Sequence, residues 1–161
     1  MLEINNEPKL FLLNSRMQLS LFMKKSRVQA TNDSLNTEIE IPVTGIDKDI
    51  IKYMIEKDGY NFYEKDDLPF AHIDINHAKE GSSIRHLLDN KKHMISDEVR
   101  RLYGVIKEDD SYNRTKSRLQ LNSFKFPLCV KEIFEKNGFE VELDATCITV
   151  RWTKLQKSKR V

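Results

Sequence analysis

The stretch that decides the fold is Phe139-Glu-Val-Glu-Leu-Asp-Ala-Thr-Cys-Ile-Thr-Val-Arg-Trp152, near the end of the chain. Apolar residues alternate with polar or charged ones on both sides of Asp144-Ala145-Thr146. Because successive side chains of a strand point to opposite faces, this pattern predicts two half-buried strands joined by a turn. The residues that we expect to face a helix are Ile148, Val150 and Trp152.

A helix is predicted directly before this hairpin, with Pro127 in its first turn and Gly138 at its end. The same order of elements occurs earlier, where a strand over residues 37–43 precedes a helix that ends near Gly59. Residues 51–62 and 130–141 align without gaps and share Lys, Glu, Lys and Gly at equivalent positions. Two interpretations are open: an internal duplication of a strand–helix–hairpin unit, or chance recurrence of a common pattern.

The rest of the chain is predicted to be largely helical. Residues 9–28 fit a helical stripe slightly better than a hairpin. Two helices are expected within residues 82–107, the second starting at Ser96, and residues 107–118 have the polar composition of an exposed linker.

Together these elements predict an α+β fold with a small, mostly antiparallel sheet and helices packed on one face. We expect a single domain over residues 1–161. Within it, the two related units are predicted at residues 37–76 and 117–153, joined by the helical segment 82–107 and the polar linker 107–118. Residues 154–161 form a basic tail.

The bulk composition excludes several classes of protein. The chain has 161 residues, 27 basic and 25 acidic side chains and a net charge of +2, so no global field attracts nucleic acid or an anionic membrane. The apolar segment from Leu10 to Met23 is interrupted by polar residues and is too short to span a bilayer. Two cysteines are too few for a disulfide scaffold, which favours a cytoplasmic protein. Abundant Ile, Lys and Asn favour an A/T-rich genome, cellular or viral.

One weak metal site is suggested by the clustered histidines. On the predicted strand over residues 70–75, His72 and Asp74 share the face opposite the apolar residues, and His77 follows closely. One imidazole and one carboxylate at this spacing supply two ligands for a divalent metal, and His77 or His86 is the candidate for a third. The simpler interpretation is a solvated polar face, with no cofactor bound.

Basic side chains are the other candidate for binding. They form a short rim on the central helices and a cluster in the C-terminal tail, where they would contact phosphates or a protein partner without reading base sequence. The residues in these two groups are Arg85, Lys91, Lys92, Arg100, Arg101, Lys154, Lys157, Lys159 and Arg160.

The sequence has no nucleophile elbow, no phosphate-binding loop and no Glu-x-Lys strand of the kind found in some nucleases, so no catalytic residue is assigned. The leading hypothesis is a small non-enzymatic binding or regulatory protein that acts on a nucleic acid or on a nucleic-acid-handling protein. The alternatives are a metal-dependent hydrolase that uses the His/Asp cluster, and an assembly or virion component whose edge strands pair with other subunits to form an oligomer.

Overall fold

The computed structural model describes residues 2–42, 47–64 and 70–153 and has an α+β fold, as the sequence predicts. The helices are α1 (Leu2–Thr31), α2 (Asp47–Lys57), α3 (Ser83–Ser111) and α4 (Pro127–Lys136). The strands are β1 (Glu38–Pro42), β2 (Asn61–Glu64), β3 (Phe70–Asp74), β4 (Lys116–Gln120), β5 (Glu140–Leu143) and β6 (Cys147–Arg151).

The chain divides into two compact units. The first lies within Met1–Asn32 and Asn36–Asn90, and the second within Asp33–Leu35 and Lys91–Val161. Each unit has its own buried apolar cluster and its own three-stranded antiparallel sheet. We therefore describe the predicted single domain as two units.

The last strand of each unit is the central strand of its sheet. The order is β1-β3-β2 in the first unit and β4-β6-β5 in the second. In the second sheet Ser117 and Val141 both lie opposite Val150, and Leu119 and Leu143 both lie opposite Ile148. In each unit the second strand of the hairpin therefore inserts between the first strand of the unit and the first strand of the hairpin.

The first unit buries one face of its sheet against helices. Its cluster combines Ile39 and Ile41 of β1 with Ile73 of β3, Phe22 of α1 and Ile55 of α2. The rings of Phe22 and Tyr60 meet edge to face with centroids 5.2 Å apart, a favourable geometry for aromatic pairs.

The second unit buries the apolar residues of the hairpin as predicted, and Thr149 on the opposite face of β6 is buried as well. Ile148, Val150 and Trp152 are buried in a cluster that also contains Leu102 and Phe134, from α3 and α4. A smaller cluster of Ile95, Phe126 and Cys129 packs beside Val99 in the same unit.

The short helix before each hairpin ends in the same way. The amide of Gly138 donates to the Glu135 carbonyl, and the amide of Phe139 donates to the Phe134 carbonyl. This Schellman pattern requires a left-handed residue, and Gly138 has φ +91°. At the end of α2, Gly59 has φ +91° and the equivalent hydrogen bonds form.

The two long helices extend beyond the boundaries predicted from the sequence. Residues 2–31 form one helix, which confirms the helical interpretation of residues 9–28. The two helices expected in residues 82–107 are one, α3, because no glycine or proline interrupts the chain before Ser96. This helix continues into the predicted linker as far as Ser111. Asn113, with φ +61°, follows the end of the helix, and β4 begins at Lys116.

Both units have the same order of elements: a long helix, a strand, a short helix and a hairpin. The shared features also include a left-handed glycine at the end of each short helix and the central position of the last strand in each sheet. The duplication that the sequence suggests remains our proposal, and this common order supports it.

The helices carry no candidate membrane span. Among residues 2–42, 47–64 and 70–153, no helix has a sufficiently long and apolar stretch to cross a bilayer.

Replacing Gly138 by alanine tests the left-handed end of α4. We expect the free energy of unfolding to fall by about 1 kcal/mol, because an L-residue is strained at positive φ. Gly104 is the control, since it lies within α3 and a Cβ there meets no atom within 4 Å. Gly104→Ala should raise the free energy of unfolding by about 0.5–1 kcal/mol. Urea titration of both variants measures the change in the free energy of unfolding. Changes in the same direction for the two variants would contradict the proposed left-handed end of α4.

Candidate functional site

A cavity of about 480 Å³ opens at one end of the sheet of the second unit. We call it the sheet-end cavity. It lies where β4 and β5 begin and β6 ends, and its volume is in the range of ligand-binding pockets. Its lining residues are Thr115, Lys116, Gly138, Glu140, Arg151, Trp152 and Thr153.

Trp152 forms the apolar wall of the sheet-end cavity and is held in place on two sides. It is 8% exposed, and its indole Nε1 donates to Asp110 Oδ1 at 3.2 Å. Its ring meets that of Phe139 edge to face, with centroids 6.4 Å apart. A buried tryptophan with its N–H satisfied is a rigid wall, since only two torsions need to be fixed.

Two cations lie opposite each other across β4 and β6. The amide of Trp152 donates to the Thr115 carbonyl, so Thr115 and Trp152 are a hydrogen-bonded pair. The next pair, Lys116 and Arg151, is therefore non-hydrogen-bonded, with Cα atoms only about 4.5 Å apart. Like charges placed directly opposite destabilise a sheet. The register thus creates a position that favours an anion.

The acidic side chains of β5 neutralise one of these cations. Arg151 forms an ion pair with Glu142, with 2.9 Å between Nη1 and Oε1. This ion pair lies on the face of the hairpin opposite to the apolar cluster. Lys116 is exposed and forms no ion pair with any residue that the structure describes. Among the lining residues the cations are Lys116 and Arg151, and because Arg151 is paired with Glu142, Lys116 is the lining cation that has no ion pair among the described residues.

A carboxylate on α3 fixes the start of β4. Asp109 accepts hydrogen bonds from Ser117 Oγ at 2.6 Å and from Arg114 Nη1 at 3.0 Å. The hydrogen bond from Ser117 is the main cause that lowers the Asp109 pKa below its usual value, and Arg114 adds to it. Asp109 therefore anchors the segment that carries Thr115 and Lys116.

At the other end of the sheet the turn of the hairpin is also fixed. Asp144 Oδ1 accepts hydrogen bonds from the backbone amides of Thr146 and Cys147. These two bonds, the Thr146 amide first, lower the pKa of Asp144. Arg118 lies 3.9 Å from the same carboxylate, and both side chains are more than half exposed, so this ion pair contributes little to stability.

Two residues of the predicted basic rim have internal roles. Arg85, in the first unit, donates from Nε to the Ala78 carbonyl at 2.9 Å and also bonds to the Asn76 carbonyl. Lys91, in the second unit, is 7% exposed and donates from Nζ to the Ser34 carbonyl. Burial lowers the pKa of Lys91. Neither side chain is placed to meet a ligand in solution.

The remaining rim residues differ from one another. Arg101 covers the ring of Phe124, with its guanidinium 4.6 Å from the ring centroid, and donates to the Ser123 carbonyl. Arg100 is exposed and pairs with Asp97 at 3.5 Å, and Lys92 is also exposed. The four tail residues Lys154, Lys157, Lys159 and Arg160 lie outside the described residues.

The predicted metal ligands are close to one another but make other contacts. His72 was expected on an exposed face, yet it is 4% exposed because β3 is the central strand of its sheet. Its Nδ1 faces Glu40 at 3.5 Å. Asp74 accepts hydrogen bonds from Thr37 Oγ1 and from the Asn76 amide, and His77 Nε2 lies 3.8 Å from it. Within the described ranges no three His, Cys, Asp or Glu side chains form a metal-binding group.

The two cysteines are both free thiols. Cys129 is buried, and burial raises the pKa of its thiol to about 12, with a further contribution from the neighbouring carboxylate of Asp33. That carboxylate accepts hydrogen bonds from the amides of Leu128 and Cys129 at the start of α4. Asp33 therefore caps α4, and the Cys129 thiol stays protonated and inert at neutral pH.

No family model, curated protein or solved structure matches this chain.

Sequence reasoning missed the main feature of the sheet-end cavity. It identified Arg151 and Trp152 on the hairpin, but it assigned Thr115 and Lys116 to a mobile linker. The signal was present in Lys-Ser-Arg-Leu-Gln120, which alternates as a short strand does. Only the pairing of this strand with β6 brings Lys116 opposite Arg151.

Removing the charge of Asp109 tests how β4 is anchored. Asp109→Asn should lower the free energy of unfolding by about 1 kcal/mol at neutral pH, because hydrogen bonds to a charged acceptor are the stronger ones. The folded pKa of Asp109 is below 3.8, so this difference is complete above pH 3.8 and disappears as pH falls through the folded value. Urea titration at several pH values measures it.

Glu108→Gln is the matched control for this experiment, because Glu108 is the exposed neighbour on the same helix. It should leave the free energy of unfolding unchanged at each pH. A difference between wild type and Asp109→Asn that grows on acidification would contradict the proposed anchor.

Proposed function

We propose that this chain is a non-enzymatic binding protein that holds an anionic group of a macromolecular ligand in the sheet-end cavity. The single observation that supports this most directly is the cross-strand pair of Lys116 and Arg151 at its mouth. A phosphate or carboxylate beside these two side chains supplies a counter-charge for Lys116 and relieves its like-charge contact with Arg151. Both groups share this chemistry, and the test below distinguishes them.

The construction of the cavity supports binding by a preformed site. Trp152, Asp110 and Phe139 fix one wall, and Asp109 fixes the strand that carries Lys116. Little backbone entropy is therefore lost when a ligand enters. The free thiols of both cysteines agree with the cytoplasmic location that is part of this proposal.

A nucleic acid is the second source of the anion that the test includes, because of the basic composition of the C-terminal tail. Thr153 lines the sheet-end cavity, and the basic tail of residues 154–161 follows it directly in the chain. The positive charge of that tail would add a sequence-independent attraction for phosphates. The metal-dependent hydrolase gains no such support, since His72 and Asp74 are engaged with Glu40 and Thr37.

Tryptophan fluorescence tests the proposal directly, because Trp152 is the only tryptophan of the chain. The full chain is titrated with three probes: inorganic phosphate, a polyglutamate and a single-stranded oligothymidylate. We expect at least one polyanion to change the Trp152 emission in a saturable, salt-sensitive manner. Lys116→Gln should weaken that binding by about tenfold, the effect of one lost charge-assisted contact.

Arg100→Gln is the matched control, because it removes one exposed positive charge from the same unit away from the lining residues. It should change the affinity less than about twofold, as screening at physiological salt predicts. If no probe changes the emission, or if both variants weaken binding equally, the sheet-end cavity is not the binding site.

A further inference from the structure

We infer that β4 is an open sheet edge that takes up an extended acidic segment of a protein partner as an additional antiparallel or parallel strand. This inference rests on the proposed function, because the strand that adds to β4 is the ligand whose carboxylate enters the sheet-end cavity. It commits to a protein rather than a nucleic acid.

The register determines which backbone groups of β4 point away from the sheet. The bonds from Trp152 N to Thr115 O and from Leu121 N to Thr146 O place Thr115 and Leu121 in hydrogen-bonded pairs. Because these pairs alternate, Ser117 and Leu119 also bond to β6. The N–H and C=O groups of Lys116 and Arg118 therefore point outward. Both residues are exposed, and no backbone partner for these four groups is found among the described residues.

The equivalent edge in the first unit is protected. The outward amide of Glu38 in β1 donates to Asn36 Oδ1, and the outward carbonyl of Glu40 accepts a hydrogen bond from Lys25 Nζ. Pro42 has no N–H to offer. Blocking groups of this kind are how sheets avoid unwanted pairing. In β4 only the Gln120 carbonyl is occupied, by Ser123 Oγ. Of these two equivalent edge strands, β1 is therefore blocked, whereas the outward groups of Lys116 and Arg118 in β4 are open among the described residues.

Charge determines which segment fits. The side chains of Lys116 and Arg118 lie on the exposed face of β4, next to the outward backbone groups. A strand added here places alternate side chains beside them, about 4.5–5.5 Å away, so acidic residues at those positions are favoured. The opposite edge, β5, has Glu140 and Glu142 on the same face and repels such a segment. The weak Arg118–Asp144 ion pair is easily exchanged.

Strand addition of this kind combines main-chain hydrogen bonds for affinity with side-chain pockets for specificity. In this protein the outward N–H and C=O groups of β4 supply the main-chain hydrogen bonds. The sheet-end cavity, which begins at Thr115 and Lys116, supplies the latter for one acidic side chain of the partner.

The test compares three capped peptides on the full chain: alternating glutamate and threonine, the same sequence with N-methylated amides on the edge that meets β4, and alternating lysine and threonine. The first should change Trp152 emission. N-methylation removes donors but no charge, and it should weaken binding by about tenfold or more. The lysine peptide should not bind.

Two variants separate the backbone from the charge. Arg118→Gln and Arg118→Pro lose the same charge, but only proline also loses the outward N–H, which β6 does not use. Binding of the acidic peptide should be about tenfold weaker for Arg118→Pro than for Arg118→Gln. Amide hydrogen exchange of the wild-type chain gives a readout without mutation: the Lys116 and Arg118 amides should become protected when the peptide binds.

Each outcome distinguishes the two proposals. If the acidic peptide binds and N-methylation has no effect, or the two amides stay unprotected, strand addition is wrong while the anion site stands. If only oligothymidylate binds, the partner is a nucleic acid and the strand inference is overturned. If neither ligand binds, the proposed function fails as well.

Discussion

The structure of the second unit depends on the pairing of one strand, β6, with neighbours on both sides. Among the described residues β6 is the last strand, and it is the middle strand of its sheet. The alternation of its side chains therefore determines which side chains of β4 and β5 face the core. A shift of one residue would move Ile148 and Val150 from the core face to the opposite face of the sheet. Their burial therefore determines the register, and the register determines where every charge of this sheet lies.

The sheet-end cavity is a consequence of that register. Lys116 is brought opposite Arg151 because Ser117 and Val150 must face the core together. The repulsion between Lys116 and Arg151 is small because the pair lies at the end of the sheet, where water screens the charges. The ion pair of Arg151 with Glu142 reduces it further. The first unit has Glu38 and Asp74 at the corresponding pair of strand positions. This pair of positions is therefore acidic in the first unit and basic in the second. Divergence of duplicated units would explain why one edge is blocked and the other is open.

Most of the fold was predictable from local patterns, whereas the site was not. The hairpin of residues 139–152, the glycine ends of α2 and α4 and the α+β class follow from periodicity and backbone chemistry. The single helix α3 was missed because Ser96 resembles an N-cap, although nothing before it breaks the helix. The burial of His72 depends on strand order, and the internal bonds of Lys91 and Arg101 depend on residues distant in the sequence. Such contacts between remote segments leave no trace in local composition.

Residue-resolved amide hydrogen exchange of the free chain tests the central claim about register most directly. The account predicts alternation along β4, with slow exchange at Ser117 and Leu119 and rapid exchange at Lys116 and Arg118. The opposite alternation, or equal protection of all four amides, would contradict the pairing of β4 with β6 from which the site was derived.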